Sequence, residues 1–399
     1  MKILITGLPK TGTTGLFYTI RQSLGGGEVR EMFEPAAYER QESDEAQGVL
    51  AKALLAQPHP VDYESFSGFE KKIGLVRDPR DWVISSLLYA MFDAPYCEDD
   101  AATAQILAAL RRKEADPHSV SVLEITRLFC NVWTPPEGMD ASKLEECFVG
   151  MMINKGIREV YQWHMDWELD FYRKHPEYFI VKYEDFVSRN LSALETHLGL
   201  ALTGQGSVAA RYQRVIRTKG AGDWRHWFIE EDIEFFKPIF SEMMNAFSYP
   251  ADWAPAEQPV VLPEYSSEYV RGLIAERKAA TLLKDPARAQ ELLQKTKKLC
   301  RTFHSRHPAE TGLNQGELGK EMDDYQVAFT YLLQQAKNVD QLSRQLSATK
   351  EKLSAKTAEL KAKREQLKRL ERSAGGKLDR LLGKFRKKDA EASPPAGRT

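Results

Sequence analysis

The chain opens with a short apolar run, Lys2-Ile-Leu-Ile-Thr6. It passes into Gly7-Leu-Pro9-Lys10-Thr11-Gly12-Thr13-Thr14-Gly15 and then into a helical pattern. A strand, a Gly/Thr loop and a helix in that order gather several N–H donors and the positive end of a helix around one point, which makes a cradle for an anion. A triphosphate loop of the form G-x-x-x-x-G-K-[ST] needs its lysine directly after the second glycine. Gly7 and Gly12 keep that spacing, but Thr13 takes the lysine's place and Lys10 lies inside the loop. The cation is kept and its position is changed.

Over residues 1–250 short apolar runs alternate with longer helical patterns. This predicts an α/β fold, a mainly parallel central sheet with flanking helices. The expected strands are Lys2–Thr6, Glu28–Phe33, Lys72–Val76 and Tyr178–Val181, with helices following Gly12, Asp78 and Met151. Pro250, Pro255, Pro259 and Pro263 mark the end of this catalytic domain. Residues 251–320 read as a linker and helical extension.

Leu332, Val339, Leu346, Leu353, Leu360 and Leu367 then recur every seven residues, which predicts a coiled coil over 321–374. Ser343, Lys350, Thr357 and Arg364 at its other seam make it weak and partner-dependent, joining copies of the chain or a partner. Residues 375–399 are a basic amphipathic segment and a tail. Leu378, Leu381, Leu382 and Phe385 on one face suit peripheral contact with anionic lipid, or else a solvated cationic end.

The net charge of −1 hides an asymmetry: residues 341–399 carry 17 Lys/Arg and 7 Asp/Glu, leaving 39 and 50 for residues 1–340. An acidic body and a tail without interleaved aromatics argue against nucleic-acid binding. Cys97, Cys130, Cys147 and Cys300 are scattered, with no metal spacing, as suits reduced thiols in a cytoplasm. With the first strand at Lys2, a cleaved signal peptide would remove the fold's own first element. The expected location is the cytoplasm, at the inner face of the membrane if the tail binds lipid.

A second anion site reads from Arg77-Asp78-Pro79-Arg80-Asp81 to Ser85. Asp78 suits an N-cap and Pro79 the first helical position. Ser85 then lies about two turns into the helix, where it can join Arg77 on one phosphate. A third piece is the strand ending in Tyr183-Glu184-Asp185. A fourth is the basic loop Arg217-Thr218-Lys219-Gly220-Ala-Gly222-Asp223-Trp224.

In this order the four pieces resemble the signature of sulfotransferases that use 3′-phosphoadenosine-5′-phosphosulfate (PAPS), in bacterial style and nearest in character to the carbohydrate sulfotransferases. Pro9 to Thr14 is similar to the P-K-[ST]-G-T-T loop, which implies contacts of Pro9, Lys10, Thr11, Gly12, Thr13 and Thr14 with the 5′-phosphosulfate. Arg77 and Ser85 match the R-[ND]-P-x-D-x-x-x-S segment for the 3′-phosphate. Tyr183 matches a tyrosine near the adenine. Arg217, Lys219 and Gly220 resemble the R-K-G-x-x-G-D-W loop, with Thr218 and Lys219 as departures from it. The resemblance implies a PAPS-dependent sulfotransferase that needs no metal. Lys10 would sit on the leaving oxygen, and all these residues would converge on one bis-phosphorylated adenosine.

Relatives with small acceptors use a histidine ahead of the 3′-phosphate strand, but Phe66-Ser-Gly-Phe-Glu-Lys-Lys72 holds none. Glu34, before Pro35, is similar to the glutamate base of carbohydrate-modifying relatives, and Glu31 stands second. The implied acceptor is a hydroxyl of a glycan or glycolipid. Rival readings are a P-loop nucleotide kinase, with a carboxylate at the end of Tyr178–Asp185 on Mg²⁺, and an inactive coiled-coil scaffold. Trp163 and Trp167, four apart on a helix over Ile157–Tyr172, read as core packing rather than sugar stacking, and His164 as a weak catalytic candidate.

Overall fold

β1 (Lys2–Gly7) alternates its side chains between two apolar layers, Ile3 and Ile5 facing one and Leu4 the other. That requires a sheet covered on both faces. In the computed structural model five parallel strands pair in the order β2-β3-β1-β4-β5, with β2 at Arg30–Phe33, β3 at Val49–Leu54, β4 at Lys71–Val76 and β5 at Phe179–Lys182. The structure describes residues 1–25, 29–55, 61–93, 100–133, 144–204, 208–285 and 287–294, and a few between 327 and 332.

The chain divides into two units, Met1–Thr330 and Tyr331–Thr399. The expected coiled coil and basic segment lie outside the described residues, as do Cys97 and Cys300.

The α/β architecture is as expected, with one strand more. Val49-Leu-Ala-Lys-Ala-Leu54 was not among the expected strands, yet it pairs with β1 in register from Lys2↔Val49 to Gly7↔Leu54. It is buried nearly throughout, so it lacks the polar alternation of a half-exposed strand. Phe66–Lys72, the stretch in which a histidine was sought, leads from a 3-10 turn into β4 and does not end a strand at the crevice.

One face is covered by α1 (Thr13–Ser23), through Leu16, Phe17 and Ile20, and by a later helix bearing Leu194 and Leu198. The other face carries the larger core, formed by α2 (Pro79–Asp93), α3 (Phe148–Lys155), α4 (Ile157–Lys174) and α5 (Glu230–Ala246). Trp253 and Val261 join this core from the Pro-bearing stretch, and α6 (Ser267–Leu282) packs on α2. The chain therefore continues its first unit beyond Pro250.

Trp163 and Trp167 correct the core reading: they are 40% and 43% exposed, with rings 5.8 Å apart on the outer face of α4. The inner face holds His164, Glu168 and Tyr172 at successive turns. Burial pushes the Glu168 carboxyl up to about 8, against a weaker pull from the Leu8 backbone. Neither of its oxygens gains a hydrogen bond of full geometry.

Between its unfolded value near 4.5 and about 8, the folded chain holds a proton that the unfolded chain has lost. Stability therefore falls as pH rises through that window. In urea titrations at pH 5 and pH 8, Glu168→Gln is expected to shrink the stability difference between the two pH values by roughly 3 kcal/mol.

Candidate functional site

β1 lies at the point where the strand order reverses, so its carboxyl end opens onto a crevice. The loop that follows is tightly specified. Gly12 has φ 95°, and a Cβ there would meet the Tyr183 ring at 2.5 Å. Lys10 also carries a positive φ, 71°, a conformation that costs a non-glycine residue about 1–2 kcal/mol. Thr11 turns inward, its hydroxyl donating to the Leu8 carbonyl at 2.8 Å, so it shapes the loop and does not face the cleft. Pro9, Lys10, Gly12, Thr13 and Thr14 do line that cleft, whose volume is about 590 Å³.

What holds Lys10 in place comes from β4. Arg77 is 4% exposed. Its Nη1 donates to the Lys10 carbonyl at 2.9 Å and to Ser85 Oγ at 3.0 Å. Its Nε and Nη2 are buried with no hydrogen-bond partner. An arginine so placed holds the loop with one arm and keeps two donors for an oxyanion. Arg217 reaches the same Ser85 hydroxyl with Nε at 3.4 Å and pairs with Asp223 at 2.6 Å. The Tyr183 ring lies 4.4 Å from the Arg77 guanidinium, and its hydroxyl donates to the Thr218 carbonyl at 3.1 Å. The lysine, the arginine–serine pair and the late loop thus meet in one cleft.

Asp78 and Asp81 explain why this corner is rigid. Asp78 accepts from the Arg80 amide at 3.0 Å and from the Arg80 side chain, at the start of α2. Asp81 is fully buried and accepts from the amides of Gly222 at 2.6 Å and Trp224 at 2.8 Å, which ties the late loop to α2. Within that loop Lys219 lines the cleft, but Gly220 does not. The Gly220 amide is engaged by the Thr218 hydroxyl at 3.1 Å, where the sequence suggested a phosphate contact.

On the β2–β3 side, Glu34 lines the cleft with φ 55°, and its carboxylate accepts from Lys52 Nζ at 2.6 Å. Glu31 is engaged elsewhere, paired with Arg21 at 2.6 Å outside the cleft.

Lys52 is the residue that reading the sequence missed. It is 2% exposed and also donates to Thr14 Oγ1 at 3.1 Å. Burial pushes its ammonium below the ordinary lysine range, while Glu34 pulls the other way. A lone lysine inside the apolar run Val49–Leu55 was the available signal, since lysine is almost never fully buried without a partner. His164 is buried against the Val160 carbonyl at 2.7 Å, and burial lowers it to about 4. It is held neutral and behaves as a packed side chain at the cleft wall.

No group of three or more His, Cys, Asp and Glu among the described residues is placed to hold a metal, and none of the described helices is long and apolar enough to cross a membrane.

No family model matches the chain, and no curated protein matches it. Among solved structures, it is similar to the crystal structure of mouse sulfotransferase SULT7A1 complexed with PAP, at 15% identity and a TM-score of 0.36. The match covers 61% of this chain and 84% of that one.

Proposed function

We propose that the chain is a sulfotransferase that moves a sulfonate from PAPS to an acceptor hydroxyl by in-line displacement. The observation that carries this reading is the double grip of Arg77 on the Lys10 carbonyl and on Ser85, with two buried guanidinium nitrogens left for an anion. When bound, the donor supplies a sulfonate on a phosphate leaving group.

Arg77, Ser85 and Arg217 are the groups that would hold its 3′-phosphate. The amides of the Gly12–Thr14 turn and the N-terminus of α1 would hold its 5′-phosphosulfate. Lys10 neutralises the charge that gathers on the leaving phosphate oxygen, and positioning with charge stabilisation carries most of such a reaction. Glu34 accepts the proton of the attacking hydroxyl. Lys52 orients Glu34 and holds a positive charge beside Thr14, next to where the sulfonate would lie.

The kinase alternative draws less support. The Glu184 oxygens are taken by the Asp78 amide at 3.0 Å and the Tyr249 hydroxyl at 3.0 Å, so the carboxylate it would need for Mg²⁺ is occupied.

The test is transfer of labelled sulfonate from PAPS into hydroxyl compounds without ATP. Glu34→Gln is expected to lower turnover about 10²–10⁴-fold, the range for losing a general base, with binding of adenosine 3′,5′-bisphosphate (PAP) unchanged. Near-normal turnover would remove Glu34 as the base. Absence of any transfer from PAPS, with ATP-dependent phosphorylation in its place, would favour the kinase.

A further inference from the structure

The cleft has two flanks, and they differ in chemistry. The nucleotide-facing flank holds Arg77, Arg217 and Lys219 around Tyr183. The other flank begins at Lys10, whose Nζ lies 3.9 Å from the Tyr89 ring centroid, and runs along Trp82, Phe148 and Met151, with Leu54 from the end of β3. These groups form one wall. Trp82 Nε1 donates to the Pro9 carbonyl at 2.8 Å and fixes the wall to the loop, and the Trp82 and Phe148 rings lie 6.0 Å apart. Met151, one turn after Phe148 on α3, continues it.

Charge on this flank is sparse. Arg214 stacks on Phe92 at 4.2 Å and faces the Glu276 carboxylate at 4.0 Å. Glu146, at the exposed edge, adds a negative charge. An acidic acceptor would leave water for an apolar wall bordered by a carboxylate, with no counter-ion to repay its desolvation. An uncharged carbon skeleton gains about 25 cal/mol for each Å² of apolar surface it buries there.

We propose, resting on the sulfotransferase reading, that the acceptor is an uncharged amphipathic alcohol or phenol. Its hydroxyl reaches the Glu34–Lys52 pair while its apolar body lies along Tyr89, Phe148 and Met151. Of the glycan or glycolipid expected from the sequence, only a molecule with an apolar body suits this wall, and a free acidic glycan does not. Met151 is a position that sets this choice, because it is half-buried on the wall and carries no polar partner.

The experiment uses the full chain, labelled PAPS and four acceptors: 2-naphthol, 6-hydroxy-2-naphthoate, a neutral disaccharide and a uronic-acid polysaccharide. PAP binding is measured in parallel. The expected result is transfer to 2-naphthol with kcat/KM at least about tenfold above that for its carboxylate analogue, and above both sugars. Met151→Lys is expected to narrow or reverse the preference within the naphthol pair and leave PAP affinity unchanged. Met151→Leu, which conserves volume, is expected to keep the preference, which guards against a simple packing defect. Intact PAP binding with the polysaccharide preferred, or with none of the four consumed, overturns the acceptor inference and leaves the donor reading standing. Loss of PAP binding in the wild-type chain overturns both.

Discussion

Lys10→Ala lowers turnover about 10²–10³-fold, the scale of removing one preorganised group from a site of developing negative charge. The loss falls mainly on kcat, because Lys10 acts on charge that appears as the sulfur–oxygen bond breaks, and ground-state affinity rests on other groups. PAP affinity is expected to change by less than about tenfold, since the Arg77–Ser85–Arg217 corner is untouched by the change. The fold should tolerate the substitution. The positive φ at this position strains alanine and lysine alike, and the lost contacts are a single bond to the Val215 carbonyl and a ring contact with Tyr89. Steady-state kinetics beside PAP calorimetry separates the two effects. Equal losses in both would make Lys10 a binding residue only.

Arg77→Lys is the second large effect, although it keeps the charge. Arginine here spans three directions: the Lys10 carbonyl, the Ser85 hydroxyl, and the two nitrogens left for an anion. A lysine ammonium is a point donor on a flexible stem and cannot span them. PAP affinity should fall about a hundredfold, as expected for losing charge-assisted hydrogen bonds in a buried site. Binding of 5′-AMP, which has no 3′-phosphate, should change by less than about threefold. Because Arg77 also holds the backbone of Lys10, kcat should drop at saturating donor as well. An affinity loss shared equally by PAP and 5′-AMP would show that Arg77 serves the loop and not the 3′-phosphate.

Much of this corner was legible in the residues themselves. The strand–loop–helix at Lys2–Ser23 follows from an apolar run ending in Gly7 and Gly12, and Gly12 proves to be a place where only glycine fits against Tyr183. The helix starting at Pro79 follows from Asp78 and Pro79, and it carries Ser85 back to Arg77 as the eight-residue spacing suggested. What was hidden depended on pairing across the sheet. β3 is buried on both faces, so its residues carry no periodicity that distinguishes strand from helix. Missing β3 meant missing Lys52, and without Lys52 the Glu34 carboxylate had no visible partner.

Contacts of long sequence separation were equally silent. The hold of Asp81 on Gly222 and Trp224 joins residues about 140 positions apart, and it diverts those amides from any ligand. The exposed Trp163–Trp167 pair shows the limit of composition arguments: large aromatics favour cores, yet the inward face of this helix is taken by His164, Glu168 and Tyr172.

Everything proposed about catalysis depends on the buried guanidinium of Arg77 meeting a phosphate on the ribose of the ligand. Thermal denaturation of the full chain with saturating PAP, 5′-AMP or Mg·ATP tests this most directly. PAP at about 100 times its dissociation constant should stabilise the protein by about 2.7 kcal/mol, with 5′-AMP and Mg·ATP at the same concentration giving far less. Equal stabilisation by PAP and 5′-AMP, or stabilisation by Mg·ATP alone, would contradict the account.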